Sequence, residues 1–204
     1  AEIFLYDAPV LFETLEALAA ERGEKLGDYG EHLIPRLLER GRVRAHAHKG
    51  YWRDLGTLES YHQAHLDLLQ DAPEFVLDEA AWPLLTRSSS RQPARVHASA
   101  HIENSFVSPG CVVRGEVRRS VLGPGVVVEA GARLEDAVLL EDARVEAGAE
   151  VVRAVLDRRS AVGEGASLRG AKNRVAVLGA GVRLEPGTRP RAGAQLEPAA
   201  AEAE

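Results

Sequence analysis

Residues 128–161 decide the fold, because VEAGARLEDAVLLEDAR (128–144) is followed directly by VEAGAEVVRAVLDRRSA (145–161). The next residues, VGEGASL (162–168), begin the same pattern again. Gly131, Gly148 and Gly165 recur at a constant 17-residue interval, and an alanine follows each of them. Self-similarity at a fixed interval indicates a repeat architecture in which each unit packs on its neighbours.

Apolar residues keep the same 17-residue interval in three columns. They are Cys111, Val128, Val145 and Val162; Val117, Leu134, Val151 and Leu168; and Leu122, Leu139 and Leu156. Three short strands per coil, each sending one aliphatic side chain inward, would stack these columns into a core that no single coil could bury. The pattern therefore predicts a parallel β-helix. A two-sheet sandwich is disfavoured because sandwiches do not hold a fixed interval over four turns.

The rest of the chain divides into three further parts. Residues 1–70 are predicted to be α/β, with strands at 3–6 and 43–47 and helices from Asp7 to Gly23, over 31–40 and over 57–70. Residues 71–95 contain three prolines and a run of serines, which predicts a linker. The β-helix is predicted over 96–184, with a change in the ladder near Asn173, and residues 185–204 are predicted to be a flexible tail.

Composition excludes several function classes. A net charge of −6 argues against general nucleic-acid binding, which needs a basic face. No apolar run approaches the length of a membrane span, so no membrane partner is predicted. The single cysteine, Cys111, fits a reducing compartment, and we expect a cytoplasmic protein. The sequence has no methionine and opens on a strand-like run, so we expect it to be part of a longer protein.

Histidine usage limits the chemistry of the coils. Residues 102–180 contain no histidine. An acyltransferase of this architecture would need one as a general base, and a zinc enzyme would need several as ligands. The β-helix is therefore interpreted as a scaffold, an assembly surface or a regulatory domain.

The most informative stretch is YWRDLGT, residues 51–57, which precedes the third predicted helix. A carboxylate beside a Gly-Thr turn is suited to holding a hard cation, so Asp54 is a candidate metal ligand. The alternative is structural: Asp54 could cap the helix and pair with Arg53.

Several segments together resemble a known enzyme family. They are YWRDLGTLESYHQAHLDLL (51–69), GDYGEHLIP (27–35), WPLLTR (82–87), NSFVSPGC (104–111) and SVLG (120–123). The sequence resembles bacterial ADP-glucose pyrophosphorylase (glucose-1-phosphate adenylyltransferase), from residue 1 to about residue 168. The family has a Rossmann-like catalytic domain followed by a left-handed β-helix of hexapeptide-repeat type, and it is usually a homotetramer. The resemblance therefore implies the C-terminal portion of such an enzyme.

The resemblance also implies roles for individual residues. Asp54 matches the family's second metal-binding aspartate, which helps to hold Mg²⁺ between ATP and the sugar phosphate. Phe4, Asp28, Tyr29 and Trp52 match positions that surround glucose 1-phosphate. The aromatic residues could instead be core residues, and Asp28 could be only a helix cap.

The family's reaction converts ATP and glucose 1-phosphate into ADP-glucose and pyrophosphate, which supplies glycogen synthesis. The family's Gly-rich nucleotide loop, first metal-binding Asp and Glu-Lys pair have no counterpart in this chain, and Glu2 stands where a glycine is usual. We therefore expect this chain alone to be inactive.

The family is typically allosteric. Arg153 and Arg158, on the third coil, are the cations that we expect to bind an anionic effector, although a solvated charged face that includes Glu141 and Glu146 is an alternative.

Three other functions stay open: a sibling nucleotidyltransferase with another sugar or nucleotide, a non-catalytic regulatory or assembly protein, and, least favoured, an acyltransferase.

Overall fold

The structure is a computed structural model that describes residues 3–23, 26–41, 43–86 and 90–198. The chain separates into two compact units, Ala1–Trp52 and Arg53–Glu204. We describe each unit by itself. Glu2 and Arg87, which belong to the sequence comparisons above, lie outside the described residues.

The described part of the first unit contains two helices, α1 (Ala8–Arg22) and α2 (Leu33–Glu39). Asp7 caps α1, because its carboxylate accepts a hydrogen bond from the Val10 amide at 3.2 Å. Gly23 ends α1 in the left-handed region at φ 67°, where glycine carries no steric penalty. Both helices were predicted from their caps and periodicity, and both are confirmed with α2 shorter than expected.

The two strands predicted for this unit do not form. Residues 3–7 and 43–49 have no strand pairing in the structure. A strand is stabilised by hydrogen bonds to a neighbouring strand, and the described part of this unit supplies no such neighbour. The prediction of strands at 3–6 and 43–47 is therefore wrong for the chain as described, and apolar side chains such as Leu5 remain exposed.

The described part of the second unit begins with α3 (Leu58–Asp67), followed by a segment without regular structure and then fifteen short strands. The strands in chain order are β1 (Arg95–Val96), β2 (His101–Glu103), β3 (Phe106–Val107), β4 (Val112–Val113), β5 (Glu116–Arg118), β6 (Val121–Leu122), β7 (Val127–Val128), β8 (Arg133–Leu139), β9 (Arg144–Val145), β10 (Glu150–Leu156), β11 (Ala161–Val162), β12 (Ser167–Arg169), β13 (Ala176–Leu178), β14 (Arg183–Leu184) and β15 (Gln195–Leu196).

The strands form a parallel β-helix, as the repeat predicted. One face consists of β1, β4, β7, β9, β11 and β14 in that order. The longer strands β8 and β10 bend around a corner and contribute to both of the other faces. Every pair among these strands is parallel. The inward side chains, among them Leu122, Leu139 and Leu156, have no exposed surface, so the stacked coils enclose a continuous core.

One predicted column is wrong at its first member. Val113, not Cys111, pairs in register with Val128, so this coil is two residues shorter than the repeat predicts. The coil is shorter because the Arg114–Gly115 corner joins two strands where the next coil uses the longer segment 129–132. Gly115 makes this short corner possible, because any residue with a Cβ would place it 2.4 Å from the Ala132 carbonyl oxygen.

The later coils also depart from the 17-residue interval. β10 pairs with β13, in which Leu156 lies beside Leu178, so this coil is longer than the preceding ones. The extra residues form a turn closed by the Ala171–Arg174 bridge. The ladder changes near Asn173, as predicted, but it does not end there.

The prediction of a flexible tail from residue 185 is wrong for the part that the structure describes. β15 pairs with β13, which places Leu196 beside Leu178 and adds a further coil. The prediction relied on the prolines in this segment, which lie outside the strands of this coil. Residues 199–204 lie outside the described residues.

The corners of the coils stack into columns of residues with positive φ. One column is entirely glycine: Gly131, Gly148, Gly165 and Gly187. A second column, which we call the Asn104 column, contains no glycine: Asn104, Arg119, Asp136 and Arg153 have φ values of 41°, 44°, 49° and 49°. The left-handed region costs a residue with a Cβ about 1–2 kcal/mol, so this column is held in place by its surroundings.

Helix α3 supplies part of those surroundings. Thr57 caps it through a reciprocal pair of bonds with Ser60. Tyr61 packs on a cluster of outward-facing valines that includes Val138 and Val155, both almost fully buried. The sequence placed helix 57–70 with the α/β part, whereas this helix belongs to the same compact unit as the β-helix.

None of the helices in the described ranges has the length and apolar character that a membrane span requires.

Candidate functional site

The aromatic residues predicted for the sugar pocket are partly brought together. The Phe4 ring lies edge-on to the Tyr29 ring at a centroid distance of 5.6 Å, and it stacks on Tyr6 at 5.9 Å. Phe4 and Tyr29 are each 45% exposed. Both aromatic residues are therefore half-exposed within the described part of the chain.

Asp28 organises the turn that carries Tyr29. Its carboxylate accepts a hydrogen bond from the Gly30 amide at 2.6 Å, and its carbonyl oxygen accepts from the amides of Glu31 and His32. The residue at the N-cap position of α2 is His32, so Asp28 is not the helix cap. Asp28 instead fixes a turn through its own backbone and side chain, as aspartate commonly does.

Trp52 lies at the end of the first unit and is 48% exposed. Its ring neighbour is His48, at a centroid distance of 6.3 Å. A cavity of about 430 Å³ in this unit is lined by Phe4 together with residues of α1, α2 and the segment around Val43. Trp52, Asp28 and Tyr29 are not among its lining residues, so the structure does not gather the four predicted pocket residues around one cavity.

Asp54 is exposed and does not cap α3. Thr57 provides the cap, and the guanidinium of Arg53 pairs with Asp67 at 2.7 Å. The structural alternative for Asp54 as a helix cap is therefore wrong. Its carboxylate folds back towards Gly56, where a Cβ would lie 2.9 Å from Oδ2. Asp54 is thus an accessible oxygen donor on a tight turn.

A divalent cation needs several such donors. Within the described ranges, no cluster of three or more histidine, cysteine or acidic residues is placed to hold a metal ion. Asp54 fits Mg²⁺ by the chemistry of its carboxylate, as one ligand of a set that these residues do not complete.

The two arginines predicted to bind an effector are in different settings. Arg153 lies in the Asn104 column and lines a second cavity of about 420 Å³. Arg158 lies on a turn, is exposed, and is not among the lining residues of that cavity. The second cavity is bounded on one side by α3 and the residues after it, including Gln63 and Gln70, and on the other by the Asn104 column.

The electrostatics of this cavity concern one histidine and two arginines. His62 is 1% exposed, and its Nε2 lies 2.6 Å from the carbonyl oxygen of Asp136. Burial lowers the pKa of His62, which favours the neutral ring with Nε2–H donating to that carbonyl. Arg119 Nε donates to the Asp136 carboxylate at 2.7 Å. Arg153 Nε is buried and has no hydrogen-bond partner among the described residues.

Sequence reasoning singled out Arg153 but missed its neighbours. Arg119, Asp136 and Arg153 recur at the 17-residue interval, so they could have been placed in one column. Nothing in the pattern indicates that this corner adopts positive φ without glycine, or that His62 would be the buried residue of α3.

Comparison with known proteins covers both parts of the chain. Residues 2–71 match the family model described as "Nucleotidyl transferase", and residues 92–174 match the one described as "GlmU-like, C-terminal hexapeptide". The chain is 40% identical over 141 residues to a glucose-1-phosphate adenylyltransferase of Streptomyces avermitilis, covering 63% of this chain and 34% of that protein.

Proteins of the same name from Bacillus cereus (strain Q1) and Bacillus mycoides are each 31% identical over 172 residues, covering 84% of this chain and 46% of theirs. The chain is homologous to glucose-1-phosphate adenylyltransferases. It spans between a third and a half of the length of these relatives, and its nucleotidyltransferase region precedes its hexapeptide region.

Proposed function

We propose that the protein to which this chain belongs is a glucose-1-phosphate adenylyltransferase, which makes ADP-glucose and pyrophosphate from ATP and glucose 1-phosphate. The observation that carries the proposal is the 172-residue match to proteins of that name, which runs across both the nucleotidyltransferase and the hexapeptide regions. The accessible aromatic rings of Phe4 and Tyr29 support it, since exposed rings are suited to packing against a sugar.

In this proposal the chain's own residues bind and orient the substrates. Phe4, Tyr29 and Trp52 contact glucose 1-phosphate, and Asp28 holds the turn on which Tyr29 lies. Asp54 provides one oxygen ligand to Mg²⁺, which offsets charge on the phosphates of ATP when it is bound. The remaining ligands and the nucleotide loop are expected from the rest of the protein, so the chain described here is expected to be inactive by itself.

The test is pyrophosphate release with ATP, glucose 1-phosphate and Mg²⁺, measured for the full-length protein and for residues 1–204. We expect activity only from the full-length protein. Activity only with UTP, dTTP or another sugar phosphate would indicate a sibling nucleotidyltransferase. A folded full-length protein that is inactive with every pair would indicate a non-catalytic regulatory or assembly protein.

Asp54 is tested in the full-length protein by D54N. Loss of a metal ligand should lower kcat about 100-fold, because the metal's stabilisation of phosphate charge is worth several kcal/mol. The matched control is E39Q, since Glu39 is an exposed carboxylate at the end of α2. Equal kcat values for the two variants would remove Asp54 from the metal site.

The homotetramer, the cytoplasmic location and effector binding at Arg153 and Arg158 are also proposals. Sedimentation of the full-length protein tests whether it is a homotetramer. R158Q in the same protein tests the last, since it should weaken the response to a phosphorylated effector without changing basal activity.

A further inference from the structure

The turn that carries Asp54 is fastened to both ends of α3. After Asp54, Thr57 caps the helix and exchanges hydrogen bonds with Ser60. Before it, the guanidinium of Arg53 reaches the carboxylate of Asp67, the last residue of α3. The Arg53 Nε lies 2.8 Å from Oδ2 of Asp67, and a terminal nitrogen lies 2.7 Å from the same oxygen. Asp54 therefore lies between two fixed points on one helix.

Two features distinguish the Arg53–Asp67 pair from an ordinary surface ion pair. The Asp67 side chain is only 13% exposed, and its second oxygen, Oδ1, accepts a hydrogen bond from Gln63 Nε2 at 2.9 Å. Because both oxygens of Asp67 are engaged, its carboxylate is held in one orientation and fixes the guanidinium in turn. Arg53 is thereby directed to α3, while the next residue, Asp54, remains exposed.

Helix α3 is itself anchored on the β-helix. Tyr61 packs on the outward-facing valines described above. The His62 Nε2 lies 2.6 Å from the carbonyl oxygen of Asp136, and the Glu59 carboxylate accepts a hydrogen bond from the Val175 amide at 3.3 Å. These contacts involve more than one coil, so α3 cannot slide or rotate without breaking at least one of them. A functional group is held most precisely when the residues that support it are themselves packed.

We propose that Arg53 and Asp67 are positioning residues for Asp54, which lock its turn onto α3 so that the β-helix supports the metal ligand. The proposal rests on the metal-binding role proposed for Asp54. Removal of an outer partner that orients a metal ligand commonly lowers metal affinity by about 10–100-fold. The loss of either member of this pair should therefore weaken metal binding, although neither residue is itself a ligand.

Metal affinity is tested in the full-length protein with R53Q, D67N and the double variant. Mn²⁺ binding, followed by electron paramagnetic resonance, should weaken about tenfold in each single variant. The double variant should bind no more weakly than the single variants, because all three lose the same interaction. The KM for glucose 1-phosphate should be unchanged. The matched control is R114Q, since the Arg114 side chain is 33% exposed, against 34% for Arg53, and pairs with Glu129 at 3.1 Å.

Amide hydrogen exchange of the full-length protein provides a second readout that needs no metal. The peptide that contains residues 53–57 should exchange faster in R53Q and D67N than in wild type, while peptides from β8 and β10 stay protected. Unchanged exchange in this peptide would overturn the proposal. Faster exchange with unchanged Mn²⁺ affinity would also overturn it, because the pair would then be structural only.

Two further comparisons locate the cause of any effect. An effect of R53Q on Mn²⁺ affinity that D67N does not share would contradict the proposal, since Arg53 would then act directly at the substrate. D54N separates this proposal from the proposed function. Weaker Mn²⁺ binding in D54N, with normal binding in R53Q and D67N, would remove the positioning role alone. Unchanged Mn²⁺ binding in D54N would remove the metal role of Asp54 and the positioning role with it.

Discussion

The β-helix and the first unit bury their apolar residues to very different extents. In the β-helix, the inward residues from Val113 to Leu178 form a continuous cluster, most of it with no exposed surface. In the described part of the first unit, the buried apolar cluster has three members, Leu18, Leu33 and Leu37, while Leu5 is fully exposed. The difference shows that a stacked repeat supplies a complete core from a short stretch of chain, whereas an α/β segment needs other elements to cover its apolar faces.

The comparison is tested most strongly by truncating one core leucine in each region. L139A should lower the free energy of unfolding by about 4 kcal/mol, because the surrounding coils cannot collapse into the space. L37A should cost about 2 kcal/mol, since its partners are few and can rearrange. Urea unfolding followed by circular dichroism measures the loss of stability in L139A. The rate of proteolysis within residues 1–52, expressed as a free energy of opening, measures the loss in L37A. Equal losses would show that the first unit is as tightly packed as the β-helix.

The short corner of the β-helix is tested by two glycine substitutions. G115A should cost about 2–3 kcal/mol, because its Cβ would meet the Ala132 carbonyl oxygen at 2.4 Å. G148A should cost about 1 kcal/mol, from its positive φ alone, since the Cβ position has open space around it. Thermal unfolding of the two variants measures the difference. A larger loss in G148A would mean that backbone conformation, not close approach, determines the corners.

The contact of α3 with the β-helix is tested by pH. Because burial lowers the pKa of His62 below its unfolded value near 6.5, the unfolded chain takes up the proton first as pH falls. The contribution of His62 to stability is therefore present above pH 6.5 and is lost below it. Arg153 disfavours the proton as well, and Asp136 favours it.

The variant H62Q keeps a donor for the Asp136 carbonyl but does not titrate. It should cost about 1 kcal/mol at pH 7.5 and less at pH 5.5, measured by urea unfolding at both values. A difference between wild type and H62Q that is the same at both pH values would contradict a neutral buried His62.

The smallest effect is expected at Arg91, which precedes the first strand. Its guanidinium bonds to Asp142 and Glu141 at 2.8 Å, and these carboxylates raise its pKa further. The ion pairs are partly exposed, so R91Q should lower Tm only slightly, and the difference from wild type should disappear at high salt. K172Q, an exposed charge in the long coil that contains Asn173, serves as the control. A difference that persists at high salt would indicate packing on Gly110 and Gly125 as the main contribution.

The repeat predicted the β-helix well between residues 117 and 168, where the coils keep the 17-residue interval. The repeat assigned Cys111 to the wrong column because the shortened corner shifts the register by two residues. Residues two apart in a strand face the same side, so Cys111 points inward as Val113 does. Cys111 is itself 1% exposed, so its hydrophobicity fitted the wrong column. Corner lengths are set by close backbone approach, which hydrophobic periodicity does not report.

The candidate sites were less predictable. Asp54 and the aromatic residues are candidates that rest on resemblance, and the structure places Phe4 beside Tyr29. The cavity at Arg153 could not be foreseen, because it depends on which face of α3 packs on the coils. The buried residue of α3 is His62, which hydrogen-bonds to the corner carbonyl of Asp136, and hydrophobic periodicity does not report such a polar contact.

The unequal coil lengths have a consequence for assembly of the solenoid during folding. Coils of identical length and similar sequence are interchangeable, so a strand could dock one coil too early or too late and still align its aliphatic side chains. The short coil at Gly115 and the long coil at Asn173 lie on either side of the uniform coils. A docking error of one coil would bring a corner of the wrong length against its neighbour, leaving backbone groups unpaired. The two irregular coils therefore specify the register in which the coils stack on one another.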